Sequence, residues 1–154
     1  MILKSNLQIC KAKNEDINQL LELLQNLFSI EKDFVFNEKN HILGLKLLIQ
    51  NKHSDVIIVK FEDEIIAMIT IQSIISTAMG SKVGLIEDFI IKDDFREMGV
   101  GTYLFEYIKD YSKKNSYTRL QLVCDEDNTN AKKFYSNKEF SKSNLRAWYY
   151  HLNN

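Results

Sequence analysis

The sequence predicts a mixed α/β (α+β) fold, with a mostly antiparallel central sheet of six to seven strands and about four helices on its faces. Two observations lead to this prediction. Apolar residues recur at helical spacing early in the chain, and the period then changes to short β-branched runs separated by polar turns. The predicted order is a strand, two helices, three strands, a helix, a strand, a short helix and a terminal strand, with one further short strand near Phe140.

The N-terminal part is predicted to form one strand and two helices. The strand covers residues 7–13, and Asn14 after it is a good N-cap residue. The first helix presents one apolar face, made of Ile17, Leu20, Leu21, Leu24, Leu27 and Phe28. A loop at residues 29–40 leads to the second helix, predicted at residues 41–51.

The later elements follow from tight turns and cap residues. Three strands separated by such turns predict an antiparallel meander. A glycine-containing loop and an amphipathic helix come next, and Asn128 is an N-cap candidate for the short helix. The predicted strands of this part cover residues 55–61, 65–76, 82–91, 118–124 and the aromatic-rich 146–152.

Length and composition predict one soluble domain over residues 1–154. A net charge of −1 gives no bias toward nucleic acid or an anionic membrane. No apolar run approaches the ~18 residues of a membrane span, and the first residues lack the pattern of a signal peptide. Cys10 and Cys124 cannot form a disulfide framework, so we expect a cytoplasmic protein.

The loop after the third meander strand has the pattern of a phosphate site. Arg96, Gly99 and Gly101 form R-x-x-G-x-G between a predicted strand and a predicted helix. The first turn of a helix presents N–H groups without internal acceptors, and its dipole favours an anion. Glycine allows close approach of the backbone, and arginine adds a charge-assisted donor. The loop therefore suits a phosphate or pyrophosphate.

Two common phosphate motifs fit this loop poorly. A Walker A loop needs Gly-Lys-Ser/Thr, whereas Thr102 follows Gly101 directly. A dinucleotide fingerprint needs a third glycine where Leu104 stands. The pattern alone leaves open a helix start without a ligand, and a nucleotide-binding protein that would prefer ATP or NAD.

A second motif extends the pattern. Asn128, Ala131, Phe134 and Tyr135 form Asn-x-x-Ala-x-x-Phe-Tyr. Together with "REMGVG" at residues 96–101 and the strand "IEDFIIKDDF" before it, this motif resembles the GNAT superfamily of acyl-CoA-dependent N-acetyltransferases. The resemblance covers nearly the whole chain, including the N-terminal strand and helices.

The chain departs from this family at two glycine positions. Many members have glycine directly after the loop arginine, where this chain has Glu97. Many also have Gly-Phe after the tyrosine-bearing helix, where this chain has Glu139 before Phe140. The second change removes a residue that favours the left-handed conformation at a helix C-terminus.

The resemblance implies acetyl-CoA as co-substrate, bound along the third meander strand and the loop. The pantetheine arm would add to the strand like another strand, the loop would hold the pyrophosphate, and Asn128 would contact the cofactor from the other side. The implied binding residues are Phe89, Ile90, Ile91, Arg96, Glu97, Met98, Gly99, Val100, Gly101, Thr102 and Asn128.

The implied chemistry is attack of a primary amine on a thioester. An amine with pKa ~10.4 is protonated at pH 7, and exposing its lone pair costs about 4.6 kcal/mol. Glu87 is the candidate base. It would need a raised pKa, act through a water molecule, or mainly attract the ammonium group; it could instead be a paired strand carboxylate. Asp88 should face the other way unless a β-bulge intervenes. Tyr135 matches the family's acid, or is a structural aromatic.

The acceptor is the least defined part of the prediction. The resemblance implies that the region between the first two helices shapes its site, so Glu31 and Asp33 are candidate contacts. His41, His53 and His151 lack metal-ligand spacing, so no metal is expected. We expect a small-molecule or peptide amine as partner, without nucleic acid or membrane. The aromatic end is expected to be sheet core, with one exposed face that could form an acceptor wall or a homodimer interface. A non-catalytic acyl-CoA-binding regulatory module is the alternative function.

Overall fold

The structure is a computed structural model that describes residues 4–152. The chain divides into two compact units, one ending at Leu122 and the other beginning at Val123. The sheet belongs to the first unit. The expectation of a single domain over residues 1–154 stays a prediction.

The sheet has five strands within residues 4–152. These are Leu7–Lys11 (β1), Ser54–Phe61 (β2), Glu64–Ser76 (β3), Ser81–Ile91 (β4) and Leu120–Gln121 (β5). They lie in the order β1-β2-β3-β4-β5, antiparallel up to β4, with β5 parallel to β4. The predicted antiparallel meander is confirmed by β2, β3 and β4.

Four α-helices lie within the same residues, as predicted. They are Ile17–Ile30 (α1), Glu38–Gln50 (α2), Val100–Lys114 (α3) and Thr129–Asn137 (α4). In the first unit, α1 and α2 pack on one face of the sheet and α3 packs on the other. Apolar residues three and four apart bring their side chains to one side of a helix, which is why each of these helices has a face to bury.

The first two helices begin at positions other than those predicted. Asn14 is not the N-cap, because residues Asn14–Asp16 form a 3₁₀ turn and α1 begins at Ile17. The buried Asp16 carboxylate fixes this start by accepting from the Lys13 N–H at 2.8 Å and pairing with Lys60 Nζ at 2.9 Å. Helix α2 begins three residues early, because Asn37 Oδ1 accepts from the N–H of Asn40 at 3.0 Å.

The prediction of six to seven strands is wrong for the residues described. Only Leu120–Gln121 of the predicted strand at 118–124 forms a strand, although Thr118 and Arg119 also hydrogen-bond to the backbone of β4. Residues 146–152 form no strand. Trp148 and Tyr150 are 92% and 89% exposed, so this aromatic segment is not sheet core. Aromatic enrichment indicates residues that fit a half-buried sheet surface, but a strand also needs a ladder partner, which composition does not specify.

Candidate active site

One edge of β4 is covered by β5 only near its beginning. The two strands pair at Gly84 with Leu120 and at Leu85 with Gln121. Gly84 permits this approach, because a Cβ there would lie 2.7 Å from Leu120 Cδ2. The predicted pantetheine-binding residues, 89–91, follow in β4 after the last residue paired with β5. That strand edge has the form needed to receive an added extended chain.

The loop after β4 ends in a helix start that requires glycine. Gly99 is the N-cap of α3 with φ 86° and ψ 0°, in the left-handed region. A Cβ at Gly99 would meet no atom within 4 Å, so the backbone angle and not crowding selects glycine. Helix geometry leaves the N–H groups of Val100, Gly101 and Thr102 without intrahelical acceptors, as an anion site requires.

Val100 and Met98 can contribute to this loop in different ways. The Val100 side chain is buried with the core residues of α3, so only its backbone N–H is suited to a ligand. Met98 is exposed. The structure therefore brings the predicted loop residues together with β4, and their common feature is the backbone rather than the side chains.

Arg96 ties the loop to the end of β4. Its Nε donates to the carbonyl oxygen of Ile91 at 3.1 Å, and its guanidinium lies 2.7 Å from Asp93 Oδ1. Ion pairs between exposed side chains contribute about 0–1 kcal/mol. A phosphate group could therefore replace Asp93 as the partner of Arg96 at little cost in stability.

Two acidic residues of β4 share one position opposite β3. Ile69 pairs with Phe89 and Ile71 with Ile86, so Glu87 and Asp88 both lie opposite Thr70. This is a β-bulge, with two residues on one strand facing one on the other. The sequence predicts that Asp88 faces away from Glu87 unless a β-bulge intervenes, and the bulge present here interrupts the alternation. Sequence reasoning did not select Asp88 as a functional residue; the adjacent acidic pair in an apolar strand was the available signal.

The second unit presents Asn128 and Tyr135 on α4. Asn128 is the N-cap as predicted, and its Oδ1 accepts from the N–H of Ala131 at 3.0 Å. The Tyr135 ring lies 5.6 Å from the Phe134 ring and 5.5 Å from the Phe140 ring, measured between centroids. Contacts with these two aromatic rings orient the Tyr135 ring.

The C-terminus of α4 has a Schellman motif with an unusual residue. The N–H of Phe140 donates to the backbone carbonyl oxygen of Tyr135, and the N–H of Glu139 donates to the backbone carbonyl oxygen of Ser136, both at 3.1 Å. Glu139 has φ 68°, in the region that glycine prefers. Glu97 has φ 61°. Glu97 and Glu139, the two residues at which this chain departs from the family pattern, therefore both have left-handed backbone angles. This gives a physical reason why many family members have glycine at these positions.

Replacing either glutamate by glycine should stabilise the protein. A non-glycine residue in the left-handed region costs roughly 1–2 kcal/mol, partly offset by the chain entropy of glycine. We expect Glu97→Gly and Glu139→Gly each to raise the free energy of unfolding by about 1 kcal/mol, measured by urea denaturation. Glu97→Ala and Glu139→Ala are the matched controls, since they remove the charge and keep the strain. Equal stabilisation by alanine would assign the effect to charge.

The two candidate acceptor residues lie after α1. Glu31 is the C-cap of that helix, and its N–H donates to the Leu27 oxygen at 3.2 Å. Asp33 is exposed in the connection to α2. Their role in binding an acceptor stays a prediction.

Residues 4–152 contain neither a cluster of metal ligands nor a membrane-spanning helix. No group of three or more His, Cys, Asp or Glu side chains there could hold a metal ion. In the same range, no helix has both the length and the apolar character of a membrane span.

Solved structures of known proteins have the same fold as this chain. A possible acetyltransferase from Clostridium difficile 630 is 20% identical, with 96% of this chain and 99% of that chain covered and a TM-score of 0.83. The aminoglycoside acetyltransferase meta-AAC0020, from an uncultured soil metagenomic sample, is 18% identical, with 99% and 100% covered and a TM-score of 0.81. The aminoglycoside 6'-N-acetyltransferase AAC(6')-IG from Acinetobacter haemolyticus is 19% identical, with 96% and 99% covered and a TM-score of 0.78.

These structural likenesses establish the fold, and a separate match establishes the family. The comparison with curated proteins finds no match. Residues 18–140 match the acetyltransferase (GNAT) family, a range that includes β4, the Gly99 loop and α4. The chain therefore belongs to the acetyltransferase (GNAT) family.

Proposed function

We propose that this protein transfers the acetyl group of acetyl-CoA to a primary amine by direct attack in a ternary complex. The observation that carries the proposal is the continuous run from the part of β4 beyond its pairing with β5, through the left-handed Gly99, to the first turn of α3. The edge suits the amide groups of a pantetheine arm, and the helix start suits a pyrophosphate. Family membership supports the same co-substrate.

The residues of this chain supply binding, orientation and proton handling. The backbone of residues 89–91 holds the pantetheine arm, and the loop from Arg96 to Thr102 holds the pyrophosphate. Asn128 Oδ1 serves the helix cap, so the Asn128 amide nitrogen is the donor proposed for the cofactor. Glu87 is exposed and accepts from Gln72 Nε2 at 3.2 Å, which suits it to attract the ammonium of an acceptor.

Tyr135 is the proposed donor to the leaving sulfur. A thiolate near pKa ~8.5 leaves more easily when a hydroxyl stabilises its charge, and a phenol with pKa ~10 can do so by hydrogen bonding. A binding module that only senses acyl-CoA has no need of this hydroxyl. Turnover with release of free CoA thiol therefore separates the enzyme from the regulatory alternative.

The acceptor is proposed only as an amine class. Two of the similar structures are aminoglycoside acetyltransferases, which makes aminoglycosides a natural first group to test. A panel of sisomicin, spermidine, free lysine and a peptide with a free N-terminus, read as CoA thiol release, covers small-molecule and peptide amines. A homodimer is compatible with the proposal, and no nucleic acid or membrane takes part in it.

The proposal includes a cytoplasmic location. Neither Cys10 nor Cys124 forms a disulfide within the described residues, which fits a reducing compartment. Fractionation of the source cells, with an antibody to the native chain, tests this part independently of activity.

Acetyl-CoA should raise the melting temperature of the protein. A ligand at about 100 times its dissociation constant adds about 2.7 kcal/mol to the free energy of unfolding. In a chain of this length each 1 kcal/mol corresponds to roughly 2–4 °C, so a clear shift is expected in a thermal scan. ATP at the same concentration is the control. A shift with ATP and none with acetyl-CoA would contradict the proposed co-substrate and favour a nucleotide-binding protein.

A further inference from the structure

We propose that Asp88, rather than Glu87, takes the proton from the ammonium group of the acceptor, and that Thr70 is a positioning residue for Asp88. This inference rests on the proposed function and assigns one step of it to particular atoms. Asp88 lies in β4 directly before the residues proposed to hold the pantetheine arm.

The bulge brings Asp88 to the same side of the sheet as Glu87. Asp88 bonds to Thr70 of β3, and Glu87 bonds to Gln72 of the same strand. Residues two apart in a strand point to the same face, so both carboxylates lie on that face. Met68 precedes Thr70 by two residues and packs with α1 and α2, so this is the face that those helices cover.

The Thr70 hydroxyl fixes the Asp88 carboxylate. The Thr70 side chain is buried, and its Oγ1 accepts from the Asp88 N–H at 2.9 Å while donating to Asp88 Oδ2 at 3.0 Å. One hydroxyl thus holds both the backbone and the side chain of Asp88. Asp88 is half-buried, whereas Glu87 is exposed. The two carboxylates therefore differ in orientation and in contact with water.

The surroundings of Asp88 favour its protonated form more than water does. Burial raises the pKa of the Asp88 carboxyl to about 6; the Thr70 hydrogen bond opposes this rise, and the Glu87 charge adds to it. Thr70 and Gln72 of β3 and both residues of β5 are uncharged. Glu22 is the single ionisable residue of α1, and α2 carries Glu38, Lys39, His41 and Lys46. Helix α3 packs on the opposite face. A base with pKa near 6 accepts a proton from an amine more readily than an ordinary aspartate does.

The step conserves atoms and charge. An oxygen of the Asp88 carboxylate takes one proton from the ammonium, and the freed lone pair forms the C–N bond with the thioester carbonyl carbon. The C–S bond breaks, the thiolate receives a proton, and the new amide nitrogen loses its remaining extra proton. An ammonium and acetyl-CoA give an amide, the free thiol of CoA and one proton.

The test compares pH profiles of kcat/KM for five proteins. The assay measures CoA thiol release with ethylamine and its mono-, di- and trifluoro analogues, whose ammonium pKa values fall stepwise. In the wild type we expect an ascending limb near pH 6. Asp88→Asn should lose that limb and lower the rate with ethylamine by about 10²–10⁴-fold. The rate loss caused by Asp88→Asn should become smaller along the series and be smallest with trifluoroethylamine, which binds already deprotonated.

The neighbouring variants should move the limb in opposite directions. Thr70→Val removes a donor to the carboxylate, so the limb should move to higher pH, and Thr70→Ser should restore it. Glu87→Gln removes a negative charge, so the limb should move to lower pH. These shifts test the proposal even if Asp88→Asn fails to fold, because a merely structural role of Thr70 would lower the rate without moving the limb.

Several results would overturn the inference. Loss of the limb in Glu87→Gln, with its retention in Asp88→Asn, would make Glu87 the proton acceptor. An equal loss in Asp88→Asn across all four amines, or an unmoved limb in Thr70→Val, would also contradict it. Absence of CoA release from the wild type with these amines and with the acceptor panel would instead refute the proposed function.

Discussion

The Tyr135→Phe variant should lose about 10²-fold or more in kcat while its affinity for acetyl-CoA and its stability stay near those of the wild type. The Tyr135 ring packs between Phe134 and Phe140, and its carbonyl oxygen accepts from the Phe140 N–H. Phenylalanine keeps these contacts and removes only the hydroxyl. General acid assistance contributes 10²–10⁴-fold, so the loss belongs to the chemical step.

Single-turnover kinetics measure this step without product release. The alkaline limb of the pH profile should also weaken, because it would report loss of the phenolic proton. Tyr107→Phe is the matched control, since Tyr107 lies on α3, is 37% exposed and its hydroxyl has no proposed role. An unchanged rate of the chemical step in Tyr135→Phe would remove Tyr135 from the mechanism and leave the thiolate to take its proton from water.

The Gly99→Val variant should bind CoA roughly 5- to 150-fold more weakly. Valine at φ 86° is strained by roughly 1–3 kcal/mol, and relief of that strain would turn the first N–H groups of α3 away from their ligand position. Since 1.4 kcal/mol is a factor of ten in affinity, this strain corresponds to a loss of roughly 5- to 150-fold. No atom lies within 4 Å of a Cβ at this position, so the fold itself should survive. Isothermal titration calorimetry measures the change.

Gly80→Val is the control for backbone strain. Gly80 also has a left-handed φ, 61°, and open space around it, but it lies in the turn between β3 and β4. Both variants should lose similar stability, and only Gly99→Val should lose affinity for CoA. Pantetheine, which lacks the pyrophosphate, should bind both equally. Wild-type CoA affinity in Gly99→Val would show that the loop is not the phosphate site.

The sequence was sufficient for the elements with strong local signals. Apolar spacing identified the helices, and the glycine pattern located a turn whose left-handed angle at Gly99 is present in the structure. Asn128 is both a favoured N-cap residue and the first residue of a family motif, so its position at the start of α4 was predictable as well.

The remaining features depend on pairing between distant segments. The bulge at Glu87 and Asp88 is defined by the register of β4 against β3, which no residue of β4 specifies alone. The short β5 and the unpaired terminal segment likewise depend on ladder partners. The face of Asp88, and with it the candidate base, was therefore not accessible from alternation in the sequence.

The two left-handed glutamates also bear on how the protein could evolve. Every glutamate codon becomes a glycine codon by one change at its second base, so the relaxed backbone at Glu97 or Glu139 is a single mutation away. Stabilising changes of this kind are common in natural proteins, because selection removes only variants that fall below the stability that function needs. Either mutation would raise the free energy of unfolding, and this gain could offset the destabilisation caused by later changes to acceptor specificity.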